Sequence, residues 1–556
     1  MRFREFRRVV GPIYVAGGTT VGHFLFCSTV ASVVLAPIVF GSRCFMFSWD
    51  EGFELCKAIG LRGGSRLYGD IWWDQPPLHA LMLQGLFHLF PASLAAARAM
   101  AVVFAVGLLS AYFYMVRRSS GLGVAVGTVL LLFSAESFIS LCLGVLIVVP
   151  AMAFALAGVV AYQRFRDSGR RSWLLWSGVC FGLGLQTKFT AVLLVPPLLL
   201  DWAIAYWEER RAVGSTIGEI VRGWLGISWR WWAGCGGAFL VVLAWVPAEW
   251  NAALLTPHVG QAIRVDTAQT VQIFYMMVKE DWGLFLAAAG GVVLALLRRR
   301  SVPWFAVWWL GVTLVAHWWQ RPYWRCYYFH IAMPLGWLAV WGAKGLFEYV
   351  MEASWVEFRR PPFRGLAAVL TLALAGTGFG FVWPGKMRKE LEVFRQGKND
   401  VEWQVVRAIE EFKPWTQWFY SNGQLFAFVA GVPLPPELSV VSMKRIISGA
   451  LTEEGIVEIL RRYDPEQLVV ARNVGHWEPV VQYMEDRYVL NFEVGRYQHF
   501  VRRDVHAKKL ERDEKARMIP MAEPRKEQVE KIRASNGGDG AIVSSATREG
   551  GLAWAR

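Results

Sequence analysis

The stretch 47–82 sets Asp50, Glu51, Asp70 and Asp74 in a loop between two apolar segments long enough to cross a lipid bilayer. A carboxylate is costly at bilayer depth, so acids gathered just outside a membrane helix point to a site rather than to a span. At a water–lipid boundary such an acid can take the proton of a polar nucleophile while the far end of the substrate stays in lipid. Gly63 and Gly64 end the helical pattern FELCKAIGLR, and Pro76-Pro77 ends an extended passage that carries Tyr68, Asp70 and Asp74. This predicts a short helix opening at Asp50-Glu51, whose dipole favours the ionised form that a general base requires. A second helix is expected from about Leu78. Plainer accounts stand beside these: a solvated helix N-terminus for Asp50 and Glu51, hydrated loop acids for Asp70 and Asp74, and a capping role for His79.

The elements that position this loop follow from composition. Of 556 residues, 55% are hydrophobic, 29 are Trp and only 18% are charged, which marks a polytopic membrane protein. The net charge of +14 comes from short basic clusters between apolar runs, the pattern of cytoplasmic membrane loops. No basic face with interleaved aromatics points to nucleic acid. The cysteines (27, 44, 56, 142, 180, 235 and 326) show no zinc-type spacing, although Cys44 and Cys56 flank the acidic pair and a disulfide is open to them.

Apolar runs of spanning length lie near 20–41, 95–116, 120–134, 139–163, 173–187, 189–207, 232–249, 282–298, 302–318, 327–345 and 365–383, giving about eleven transmembrane helices. With the N-terminus inside, the inner loops hold most of the arginines, including Arg117-Arg118, Arg170-Arg171, Arg210-Arg211 and Arg298 to Arg300. An odd number of spans then puts the acidic loop and the C-terminal region outside. From 385 to 507 the composition is that of a small α/β domain, with helices at VEWQVVRAIEEF and LTEEGIVEILRRY and strands at QWFYS, EQLVVAR and YQHFVRR. Residues 508–556 read as a disordered charged tail. The expected organisation is a transmembrane part over 1–384 with its first outer loop at 42–94, then the outward domain.

DEG followed by GGSRLYGDIWWDQPPL, with AAARAMAVVF one helix later, resembles the first outer loop of the GT-C membrane glycosyltransferases, in the branch of the protein O-mannosyltransferases and the lipid A aminoarabinose transferase. GVCFGLGLQTK and PLPPELSVVSMKR resemble further segments of that branch. The resemblance implies a GT-C fold and an inverting transfer of a sugar from a polyprenyl-phosphate donor on the outer face to a glycan, lipid or protein acceptor. No cofactor is required; the transfer is metal-independent or weakly metal-dependent, so a divalent metal stays open but is not indicated. It maps the base onto Asp50, with Glu51 as its neighbour. One positioned carboxylate can supply roughly 10²–10⁴-fold, and the leaving phosphate needs cations, for which Lys188, Arg321 and Arg325 are the candidates. Asp70, Asp74, Gln75, His79 and Tyr323 complete the expected substrate contacts.

The chain departs from the branch at Gln75, where aminoarabinose transferases carry a lysine, and at Val148-Val149, where many members have a second acid; Glu136 lies nearby. Two other classes remain open on sequence: a transporter or flippase for a lipid-linked sugar, and a non-catalytic scaffold. Transport would predict inverted repeats and broken polar helices near the midplane, whereas the spans here are nearly free of central charge.

Overall fold

The acidic loop folds around one short helix. In the computed structural model, which describes residue 28 and residues 44–135, 137–245, 267–297, 302–320, 323–352, 384, 385, 388, 400–471 and 478–518, helix α1 spans Asp50–Arg62. The amide of Gly63 closes onto the Ile59 carbonyl at 2.9 Å, and Gly64 follows at φ +96°, a left-handed conformation that glycine adopts without strain. The glycine pair therefore stops the helix where the sequence places its end. Helix α2 (Leu78–Leu89) begins directly after the two prolines, as expected.

The helical region continues through α3 (Leu94–Ser120), α4 (Leu122–Leu132), α5 (Phe138–Leu143), α6 (Val148–Ser168), α7 (Ser172–Thr187), α8 (Val195–Ala212) and α9 (Ile217–Leu243). After residues outside the description come α10 (Thr267–Glu280), α11 (Trp282–Leu297), α12 (Trp304–Trp319) and α13 (Tyr328–Glu352). Among the described residues, three helical segments are long and apolar enough to cross a membrane: Leu94–Ser120, Val148–Ser168 and Phe189–Ala212. Most of the run expected at 20–41, and all of that at 365–383, lie outside the described residues. One expected run is interrupted and another opens in a tighter turn. Gly144 ends α5 before α6 starts at Val148, and a 3₁₀ turn over Phe189–Leu194 precedes α8 and its Pro196-Pro197. The run at 120–134 yields an 11-residue helix, about 16 Å long at 1.5 Å per residue and short of the ~30 Å hydrocarbon core.

Small residues let the long helices meet closely. A side chain at Gly178 or Gly182 on α7 would strike the α9 backbone at Trp231 or Cys235, and one at Gly234 would strike Leu175 in return. The Trp231 indole donates to Ser177 Oγ at 3.1 Å across the same contact. Such close approach is how helices associate where lipid removes the hydrophobic driving force.

The later part of the chain forms α14 (Asp400–Phe412), β1 (Phe419–Ser421), α15 (Leu425–Ala430), α16 (Met443–Ile447), α17 (Glu453–Tyr463), β2 (Gln467–Ala471), α18 (Glu478–Glu485), β3 (Tyr488–Val494) and β4 (Tyr497–Arg502). The sheet order is β1-β2-β4-β3, with β1 parallel to β2 and the other neighbours antiparallel. Thr452 caps α17 by accepting the Gly455 amide at 3.1 Å. The three strands expected from sequence are present, and β3 is added to them as the outer arm of a hairpin whose turn needs Gly495 at φ +59°.

This sheet layer and the helices belong to one compact unit ending at Arg502. The second unit begins at Arg503, and its described part is helix α19 (Arg503–Met518). That helix includes residues read from sequence as the start of a disordered tail; i,i+4 charge pairs such as Asp504–Lys508 at 3.6 Å support it.

Three stripes of α1 do different work. Glu51, Leu55 and Ala58 point into buried packing, while Asp50, Glu54 and Lys57 share a second face. Gly52 and Cys56 form the third, against α15: Cys56 Sγ donates to the Gln424 carbonyl at 3.2 Å, and a Cβ on Gly52 would lie 2.5 Å from the Leu425 backbone nitrogen. Phe45 stacks on Phe426 at 5.0 Å beside this contact. Because the obstacle is backbone, Gly52→Ala is expected to destabilise the chain by ~1–3 kcal/mol, read as a lowered unfolding temperature and faster proteolysis of residues 400–502 in detergent.

Candidate active site

Glu51 holds α1 in place. Its carboxylate is fully buried and receives Arg98 Nε at 3.1 Å on one oxygen and an Arg98 terminal nitrogen at 3.0 Å on the other. The same two oxygens accept the amides of Val145 at 3.0 Å and Phe47 at 2.7 Å. Arg98 also donates to the carbonyls of Cys44 and Phe45, at 2.7 and 3.0 Å, and lies over the Phe47 ring. Each Glu51 oxygen is thus engaged twice, leaving no room to receive a substrate proton. Glu51, expected to share in catalysis, has both oxygens committed to holding α1.

Asp50 is its opposite. It sits in the first turn of α1 with accessible surface, and among the described residues its carboxylate enters no hydrogen bond or ion pair. It is nevertheless crowded by protein, and this burial pushes its carboxyl above the usual range. Lys188 opposes that shift most strongly, Glu54 adds to it, Lys57 opposes it and Asp74 adds to it. An accessible, unpaired acid with a raised pKa is suited to take up a proton.

The rest of that face is paired internally. Glu54 accepts from Lys57 at 3.0 Å and contacts His79 Nδ1 at 2.7 Å, all three side chains being buried. Burial alone would lift the Glu54 carboxyl, but Lys57 and His79 outweigh it and hold the group below its usual value. Burial pushes the Lys57 ammonium down to about 8 against the pull of Glu54, Asp74 and Asp50, and the amine sits 2.7 Å from the centroid of the Trp73 ring. Asp74 is buried, accepts the Gln75 side-chain amide at 3.2 Å and forms an ion pair with Lys444 of α16. The Gln75 carbonyl receives the Tyr68 hydroxyl at 2.7 Å. Sequence reasoning passed over Glu54, Lys57 and Lys444; the first two share the spacing of Asp50 along α1, and that periodicity could have found them.

Other expected contacts divide. Lys188 ends α7, is largely buried and lies 5.1 Å from the Tyr327 ring centroid. Tyr323 is fully buried, edge-on to His317 at 5.4 Å, so it supports the aromatic cluster rather than offering a face to a sugar. Asp70 closes a local turn, accepting the Arg66 amide at 2.7 Å and facing Arg66 Nε at 3.6 Å. That backbone hydrogen bond holds its carboxyl below the usual range. Arg321 and Glu136 lie outside the described residues, and Arg325 is described in its backbone, within the turn Arg325–Tyr327. Cys44 and Cys56 are free thiols, burial pushing the Cys56 thiol up to about 12. Among the described residues no group of three or more His, Cys, Asp or Glu is arranged to hold a metal ion. An apolar groove of about 400 Å³ runs between Leu78, Leu81 and Gly85 of α2 and Val241, Val242 and Trp245 at the end of α9, starting one residue from His79.

Residues 74–229 match the family described as dolichyl-phosphate-mannose-protein mannosyltransferase. The structure aligns with that of ArnT from Cupriavidus metallidurans bound to undecaprenyl phosphate, at TM-score 0.53 and 14% identity, covering 87% of this chain and 98% of that one. The Saccharomyces cerevisiae protein O-mannosyltransferase Pmt1–Pmt2 complex bound to the sugar donor aligns at TM-score 0.34 and 16% identity, over 42% of this chain and 34% of its own. No curated protein matches in sequence. The chain carries the fold of the GT-C membrane glycosyltransferases and resembles the O-mannosyltransferase and ArnT branch.

Removing one partner of a buried ion pair costs roughly 3–5 kcal/mol. Arg98→Met is therefore expected to lower the thermal unfolding midpoint sharply. Adding Glu51→Gln should recover part of the loss, as a double-mutant cycle on purified protein would show.

Proposed function

We propose that the chain transfers a sugar from a polyprenyl-phosphate-linked donor to an acceptor on the outer face of the membrane, with Asp50 as the base. The observation that carries this reading is the contrast on α1. Glu51 and Glu54 are locked in buried partnerships, whereas Asp50 is accessible, unpaired among the described residues and flanked by Lys188. Asp50 takes the acceptor's proton as the acceptor oxygen bonds to the anomeric carbon. The bond from that carbon to the phosphate oxygen breaks, and polyprenyl phosphate leaves with the electron pair, inverting the anomeric centre. Lys188 meets the charge that develops on the phosphate, a task for a fixed cation rather than an acid, and Arg325 and Arg321 fall in the following outer loop.

The neighbouring groove on α2 suits the apolar tail of such a donor. ArnT, whose fold this chain shares, binds undecaprenyl phosphate, which supports the donor class. The basic inner loops support an inner-membrane protein with a cytoplasmic N-terminus and with the acidic loop and sheet layer outside. No metal enters the proposed steps.

Two measurements test the assignment. In membranes supplied with radiolabelled polyprenyl-phosphate sugars, Asp50→Asn is expected to reduce transfer by roughly 10²–10⁴-fold; transfer equal to wild type would remove Asp50 from the role of base. Because Asp50 must be ionised and burial raises its carboxyl, kcat/KM should fall as pH drops through a value above the ordinary 3.8. Lys188→Gln removes the cation that most favours ionised Asp50, so it should shift this acid limb to higher pH as well as lower the plateau.

A further inference from the structure

Helix α16 carries a charge from the sheet layer to the acidic loop. Lys444 pairs with Asp74, their side chains being 16% and 6% exposed, and Gln75 steadies the same Asp74 oxygen. The segment around Lys444 is fixed from both sides. Val440 packs among Phe53, Tyr68, Ile71 and Trp73. The Arg445 guanidinium lies 5.3 Å from the Trp72 ring centroid and donates to the carbonyls of Glu437 and Val440 at 2.5 and 2.9 Å. Ser442 caps the helix by accepting the Arg445 amide at 3.2 Å. Lys444 is thus delivered by a braced element rather than by a loose loop. Asp74, its partner, is near enough to Asp50 to raise that carboxyl, and Lys188 is near enough to oppose the charge on Lys444. The two lysines border one cluster from different parts of the fold.

We propose that Lys444 is an anion-binding residue of this cluster, sharing its ammonium between Asp74 and the phosphate of the lipid-linked ligand. The inference rests on the lipid-phosphate reading above and adds the sheet layer to the substrate-binding surface. An ammonium has three donors, so Asp74 can keep one while a phosphate oxygen takes another. Burying a lysine–carboxylate pair alone gains little, because desolvation offsets the attraction; an anionic ligand at the same ammonium adds charge-assisted hydrogen bonds. Asp74 then tempers the affinity, since its own charge repels the phosphate it helps to position.

The test compares binding of undecaprenyl phosphate with binding of undecaprenol, which lacks the phosphate, to the full-length chain in detergent. Wild type is expected to prefer the phosphate. Lys444→Gln should lose about tenfold in affinity for undecaprenyl phosphate with undecaprenol unchanged, and Lys444→Arg should retain most of it. Asp74→Asn keeps the shape and removes the repelling charge, so it should bind the phosphate at least as tightly as wild type. If Lys444→Gln and Asp74→Asn weaken phosphate binding and thermal stability alike, the pair is only a clasp between α16 and the loop, and the proposal falls. Unchanged phosphate affinity in Lys444→Gln overturns it while leaving the lipid-phosphate reading intact, whereas a wild type that does not distinguish the two lipids overturns both. Should Lys444→Gln fail to fold, the direction of the Asp74→Asn effect decides.

Discussion

The buried pairing of Glu51 with Arg98 sets the phase of the short helix on which the site depends. Successive helical residues turn by about 100°, so fixing one side chain fixes all the others. With Glu51 tied to α3, to the chain before α1 and to Val145, residues 50, 54 and 57 have one available direction and residues 52 and 56 another. A pair of this kind need not add much net stability. Its value lies in orientation: neither a rotated nor a shifted α1 could satisfy two carboxylate oxygens and four donors at once.

Around that helix, charge is arranged so that one acid stays available. Glu54 is answered by Lys57 and His79, and Asp74 by Lys444 and Gln75. Asp50 has Lys188 in its field and, among the described residues, no ion pair to hold it. Such an arrangement is costly to build in a crowded setting, and it resembles the preorganisation by which fixed charges stabilise a transition state without moving during the reaction. The small-residue contacts between α7 and α9 fix, at longer range, the helix whose C-terminal cap is Lys188.

Much of this was legible in the sequence, for identifiable reasons. Gly63-Gly64 and Pro76-Pro77 punctuate the backbone by sterics that operate locally, so the bounds of α1 and the start of α2 could be read directly. Asp50 stood out because a carboxylate beside a membrane segment is conspicuous. The different fates of Glu51 and Asp50 were not legible, since both lie in one turn and differ only in what the rest of the fold presents to each. Glu54 and Lys57 look like an ordinary i,i+3 surface pair until His79, Trp73 and Asp74 are folded over them. Strand β3 escaped because Asn491 and Glu493 dilute its apolar character, although its alternation and the Gly495 turn mark it in retrospect. The break at Gly144 shows that hydrophobicity counts residues but does not see a glycine dividing them.

The pairing of Asp74 with Lys444 has a consequence in time as well as in space. The acidic loop and its first helices leave the ribosome early, and α16 follows only after most of the chain has been made. At roughly 5–20 residues per second, that delay lasts tens of seconds. Throughout it Asp74 lacks its lysine and the face of α1 formed by Gly52 and Cys56 lacks α15. The nascent protein therefore holds Asp50 before it holds a finished wall around it, and a chain whose synthesis stops short of α16 would leave the cluster open to water.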